Sequence, residues 1–171
     1  MIAALKRRYQ SPDGTVTVGE VIWRKKEEEK QPESLALTDW TGVELHLFVT
    51  DPSFALSVAE KKGWQVHVLP EPPKKRRALR AFRKALHTTK FDVIRCRDEA
   101  YAPMFLQEAR KAEVEVRIAP VDILHCPEDK VLERSEEIKR YATIVNVPVD
   151  PASDAAESGD FYRSLIKGAK K

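Results

Sequence analysis

From residue 43 to residue 119 the chain alternates between short apolar runs of strand type and longer amphipathic runs of helix type. This alternation limits its fold more than any other feature. Val43–Thr50 (VELHLFVT) reads as a strand. Asp51-Pro52-Ser53 opens a helix that reaches Lys62 and stops at Gly63. Asp is a favoured cap, and Pro fits the first helical turn, where its missing N–H is not needed. Trp64–Leu69 is a second strand, and Pro70-Glu71-Pro72-Pro73 breaks the chain. Lys74–Thr88 follows as a helix with Leu79, Phe82 and Leu86 on one face. Phe91–Cys96 is a third strand, Glu99–Ala112 a helix and Val114–Ala119 a fourth strand. Short connections between such elements predict an α/β fold: a mainly parallel central sheet with helices on both faces and right-handed crossovers. Beyond it, Glu128–Arg140 reads as a helix and Thr143–Val147 as a short strand. Asp150–Gly159 reads as a polar loop and Phe161–Lys171 as a basic terminal helix.

Residues 1–40 follow another pattern. Ser11-Pro12-Asp13-Gly14 is a turn signal between Leu5–Tyr9 and the strand-like Thr15–Trp23. The expectation is an N-terminal β-hairpin extension with a charged linker, Arg24–Glu33, placed before an α/β domain over 41–171. At 171 residues one domain is expected, with a real core. Two cysteines, Cys96 and Cys126, make no disulfide framework; they read either as reduced, buried thiols in a cytoplasmic setting or as a single bridge. No signal peptide and no run of about 18 apolar residues is present, so no membrane partner is expected. Charged residues make up 33% of the chain, a surplus common in heat-adapted proteins.

Net charge is only +3, so a nucleic-acid partner has to be argued from local distribution. Lys74, Lys75, Arg76, Arg77, Arg80, Arg83, Lys84 and Lys90 fall in a stretch without a single acid. Arg76, Arg80, Arg83 and Lys84 share one side of the helix, opposite its apolar side. Such a stripe can neutralise phosphates of DNA or RNA; its other reading is a solvated face.

Acids gather at the strand ends. Asp51 follows the first strand of the series, Glu71 the second, Asp98 and Glu99 the third, and Asp122 the fourth. Parallel strands bring such residues to the edge where α/β sheets bind ligands. Carboxylates there suit Mg²⁺ or Mn²⁺, and a divalent ion activates water against a phosphodiester. Helix capping alone also accounts for Asp51 and Asp98. Cys96, His125 and Cys126 lack metal-ligand spacing, and His46 and His67 read as core or edge residues. Six glycines form neither GxGxxG nor a phosphate loop, so no nucleotide cofactor is expected.

Arg97-Asp98-Glu99-Ala100-Tyr101-Ala102-Pro103-Met104-Phe105-Leu106, then Ala109–Val116, resembles the late acidic motif of NYN/PIN-like ribonuclease domains, which are Rossmann-like. Phe48-Val49-Thr50-Asp51 is similar to that family's first strand and first acid. The resemblance spans roughly residues 43–120. It implies that Asp51 and Asp98 bind metal; in an enzymatic form, Glu99 or Asp122 is expected to assist them. The late turn lacks the family's Ser-Gly-Asp-x-Asp cluster and carries Arg95 and Arg97, so an active nuclease and a binding-only relative both stay open. The sequence therefore points first to a nucleic-acid-associated domain. A small-molecule-binding Rossmann-like protein, or an assembly subunit docking an acidic protein partner, are the alternatives.

Overall fold

The structure is a computed structural model, and it describes residues 15–23, 40–50, 63–120 and 128–146. Its strands are β1 (Val16–Ile22), β2 (Val43–Val49), β3 (Gln65–Val68), β4 (Val93–Cys96), β5 (Val116–Pro120) and β6 (Ile144–Asn146). Its helices are α1 (Lys75–Thr88), α2 (Ala102–Lys111) and α3 (Glu128–Tyr141), with a 3₁₀ turn at Glu99–Tyr101 leading into α2. The strands form one six-stranded sheet in the order β3-β2-β1-β4-β5-β6, and every pairing is parallel.

A parallel sheet is buried on both faces, and the alternation of side chains along each strand shows how. On one face Val21, Trp23, Phe48, Ile94 and Cys96 pack against Ala78, Phe82 and Ala85 of α1 and Phe105, Leu106 and Ala109 of α2. Phe82 and Phe105 meet edge to face at 5.1 Å. On the other face Val16, Val18, Ile22, Leu45, Leu47, Val49, Val93, Val116 and Ile118 form a second cluster with Trp40 and Trp64. Gly19 is required on the α1 side: a Cβ there would lie 2.6 Å from Cδ1 of Ile94 and 3.2 Å from the Phe48 ring.

The strand at Val16–Ile22 corrects the expected hairpin extension. Both of its edges are taken by parallel neighbours, β2 and β4, so it is not an arm of an antiparallel hairpin. It lies in the interior of the sheet, and the α/β domain therefore begins before residue 41. The charged stretch after Trp23 made this strand look separate; its pairing partners lie far away in sequence. Residues 1–14, the helix expected over 51–62 and the elements expected after residue 146 lie outside the described residues.

Candidate functional site at the strand-order reversal

From β1 the chain moves outward to β2 and β3, then returns to the opposite side of β1 at β4 and moves outward again to β5 and β6. The direction reverses between β1 and β4. In open α/β sheets, connections leaving in opposite directions at such a point part from each other, and a crevice opens beyond the carboxyl ends of the two strands.

Arg97 and Asp98 follow β4 directly, at the end of the sheet where that rule places a crevice. The Arg97 amide donates to the carbonyl of Val21 at 3.0 Å, which holds the end of β4 against β1. Glu20 faces the second core cluster from β1, in register with Arg95 on β4. Both are buried. Nε of Arg97 donates to Oε2 of Glu20 at 2.8 Å. A carboxylate and a guanidinium are thus held inside the sheet where its strand order reverses. The other face of the sheet at this end is aromatic. Trp23 stands immediately after β1, where a dinucleotide fold would begin its glycine turn, and its indole N–H donates to the Pro70 carbonyl at 2.7 Å. Tyr101 and Phe105 meet that indole edge-on at 4.5 and 5.7 Å. Cys96 lies buried on that same aromatic face. Burial, then the charges of Asp98 and Glu20, push its thiol well above the usual range, so it stays protonated and unreactive at neutral pH.

Asp98 stands at the carboxyl end of β4, where the sequence places it, and its carbonyl accepts from the amides of Tyr101 and Ala102 as the helical turn begins. The 3₁₀ turn contains Glu99. Asp51 and Asp122 lie outside the described residues. Among the described residues, no three His, Cys, Asp or Glu side chains gather around a common point.

The basic helix is present. Lys74, Lys75, Arg76, Arg77, Arg80, Arg83 and Lys84 are all exposed, and α1 has no acid in its first turn. Arg83 differs from the rest. Its Nε donates to Oε2 of Glu108 at 2.7 Å and its Nη2 to Oε1 at 3.0 Å, and Lys111 adds a third contact at 3.2 Å. The hydrogen bonds from Arg83 hold the nearly buried Glu108 carboxyl below its ordinary range. Arg83 therefore ties α1 to α2 and is not part of a free stripe, because Glu108 lies 25 residues away in sequence and no helical wheel of α1 includes it.

A cleft of about 690 Å³ opens at the opposite, amino edge of the sheet, among Leu86, His87, Lys90, Phe91, Lys111 and Val114. It lies where α1 and α2 end, away from the strand-order reversal, and holds no buried charged group. Sequence reasoning missed Glu20 and Arg97 as site residues. The available signal was a glutamate inside the apolar run of β1 and an arginine directly after the apolar run of β4.

No family model matches the chain, and no curated protein matches it. Among solved structures it is similar to MurG from Acinetobacter baumannii, at 9% identity and a TM-score of 0.52, over 77% of this chain and 40% of that one. A Gfo/Idh/MocA family oxidoreductase from Vibrio cholerae aligns at 9% identity and a TM-score of 0.46, over 78% of this chain and 38% of that one. The chain thus spans about two fifths of each of these proteins. The likeness to MurG is one of fold: the chain is a Rossmann-like α/β protein.

Proposed function

We propose that the protein binds a small molecule in the crevice beyond the carboxyl ends of β1 and β4. The observation that carries this reading is the strand order, whose reversal falls between those two strands. The site there has the mixture small-molecule sites use, a few fixed polar groups against apolar walls. Glu20 and Arg97 supply the first, Trp23 and Tyr101 the second. With no glycine turn after β1, side chains rather than a run of backbone amides would recognise the ligand.

Crystals soaked with a fragment library of nucleotides, sugar phosphates, carboxylic acids and planar heterocycles test this. Fragments should collect beside Arg97, Asp98 and Tyr101, and the same compounds should raise Tm less in Tyr101→Ala than in the wild type. Fragments collecting only in the amino-edge cleft, with a Tyr101-independent Tm shift, would overturn the reading.

A second reading is favoured by α1. Lys75, Arg76 and Arg77 occupy its first turn, where the helix dipole disfavours positive charge. Like charges four residues apart, such as Arg76 with Arg80 and Arg80 with Lys84, add to that cost. An anion docked on this face would offset both, and the phosphate backbone of a nucleic acid is such an anion. Binding to labelled single- and double-stranded DNA and RNA should then fall steeply with salt. Cleavage appearing only with Mn²⁺ would support the nuclease reading of Asp51 and Asp98. Negligible binding at low salt would reduce the stripe to a solvated face.

A further inference from the structure

On the sheet face covered by α1, the polar residues of β2 and β3 form a hydrogen-bonded chain that neither reading above uses. Glu44 and His46 stand two residues apart on β2 and so share that face, and His67 pairs with Phe48 in the β2–β3 register. Nε2 of His46 lies 2.9 Å from Oε1 of Glu44, and Nδ1 of His46 lies 2.9 Å from Nε2 of His67. His46 is 1% exposed and Glu44 45%, so the chain runs from the surface into the core and out to half-buried His67. Aromatic rings fix its geometry: His67 stacks on Phe48 at 4.5 Å, and Phe91 meets His46 edge-on at 5.0 Å. Gln65 donates to the same Glu44 oxygen at 3.4 Å. From α1, Phe82 packs on Phe48, while Arg83 turns to Glu108.

These contacts dictate the tautomers. An ionised carboxylate only accepts, so Nε2 of His46 carries hydrogen. In neutral His46, Nδ1 is then an acceptor, and Nε2 of His67 must be the donor to it. The lone pair left over in the chain is on Nδ1 of His67. A proton arriving there lets the Nε2 proton of His67 pass to Nδ1 of His46: one N–H bond breaks as the other forms. The imidazolium that results lies against the Glu44 carboxylate. One proton is taken up, and its charge is moved one ring inward to a waiting counter-charge. A second proton would place two imidazoliums in contact. Burial first, then His46, already hold His67 below the ordinary histidine range.

We propose that Glu44, His46 and His67 are a proton relay whose accepting atom is Nδ1 of His67. The relay stands on β2 and β3 and does not depend on the crevice reading. Nitrogen-15 NMR of histidine-labelled full chain tests it. At pH 8 both rings should be Nε2–H tautomers. On acidification one proton should be shared by the two rings, and Glu44→Gln should move that uptake to lower pH through loss of an opposite charge at hydrogen-bonding range. Diethyl pyrocarbonate, which acylates an imidazole lone pair, should label His67 before His46 and label it more slowly in Glu44→Gln. An Nδ1–H tautomer on either ring at pH 8, a midpoint indifferent to Glu44→Gln, or preferential labelling of His46 would overturn the relay.

Discussion

Glu20 and Arg97 meet at 2.8 Å inside the sheet, whereas Lys75, Arg76, Arg77, Arg80 and Lys84 stand on the outer side of α1 in water. The residue types are similar, yet the physics differs. Inside the sheet a charge is tolerated only with a counter-charge in contact, so the partner is fixed and so is the geometry. On α1 the charges interact through high-dielectric solvent, each contact is weak, and what the helix presents is a summed field. The Arg83–Glu108 pair lies between these extremes: the arginine is 48% exposed and the glutamate 8%. The comparison teaches that charge count says little here, and that depth decides whether a charged residue acts as a fixed group or as part of a field.

The sharpest way to break this contrast is Glu20→Ala. It removes the carboxylate that Nε of Arg97 donates to, while the Arg97 side chain is only 11% exposed. The expected loss is about 3–5 kcal/mol in urea unfolding, the range for breaking a buried pair. Glu20→Met with Arg97→Met together should cost far less. A loss below about 1 kcal/mol for Glu20→Ala would mean that water reaches Arg97, and the two regions would no longer differ in kind. Gly19→Ala, one residue earlier, probes the same depth from the apolar side. Its new methyl must displace Ile94 and press on the rings of Phe48 and Phe91. About 1–3 kcal/mol of destabilisation is expected, as for other overpacked cores.

The same contrast explains how much was legible in the sequence. The alternation over 43–119 predicts β2 to β5, α1 and α2 within a few residues, because period and caps are local properties. The place of β1 was not legible. A strand's neighbours are chosen by burial across the whole sheet, and Val16–Ile22 pairs with segments beginning at residues 43 and 93. The basic stripe was legible as a stripe, but the removal of Arg83 from it depends on Glu108, on another helix. The position of Asp98 beyond β4 was legible, while the Glu20–Arg97 pair was not, since it joins residues 77 apart. The relay was passed over because its histidines stand on different strands 21 residues apart.

A smaller effect is expected at Glu113, which takes a left-handed φ of 61° after α2. Its amide donates to Arg110 and that of Val114 to Ala109, the hydrogen-bond pattern of a glycine-type helix end. Glu113→Gly should therefore stabilise the fold by about 1 kcal/mol, because a Cβ is disfavoured in that conformation. An unchanged urea midpoint would show that the residue's other contacts offset the strain.

Two pH windows separate the groups further. His67 has a folded pKa below its ordinary 6.5, so as pH falls below 6.5 the unfolded chain takes up the proton first and stability drops. Glu108 has a folded pKa below its ordinary 4.5, so its contribution is present above that value and is lost as pH falls through the lower, folded one. Urea midpoints at pH 7.5, 5.5 and 4 should show two successive declines. His67→Gln should remove the first and Glu108→Gln the second. A first decline that survives His67→Gln would assign it to another group.

The smallest effect on stability, and the largest on charge, is expected on α1. Arg76→Gln, Arg80→Gln and Lys84→Gln together remove like charges four residues apart and leave the Arg83–Glu108 pair intact. The urea midpoint should hold or rise slightly, while any salt-dependent binding of nucleic acid falls at every sequence tested. That outcome would set α1 apart from Glu20, where removing one charge unfolds the protein more readily. A clear drop in the midpoint would instead mean that these three side chains have fixed acidic partners. The helix would then be held by specific pairs, like the centre of the sheet, and its charge would need no ligand to explain it.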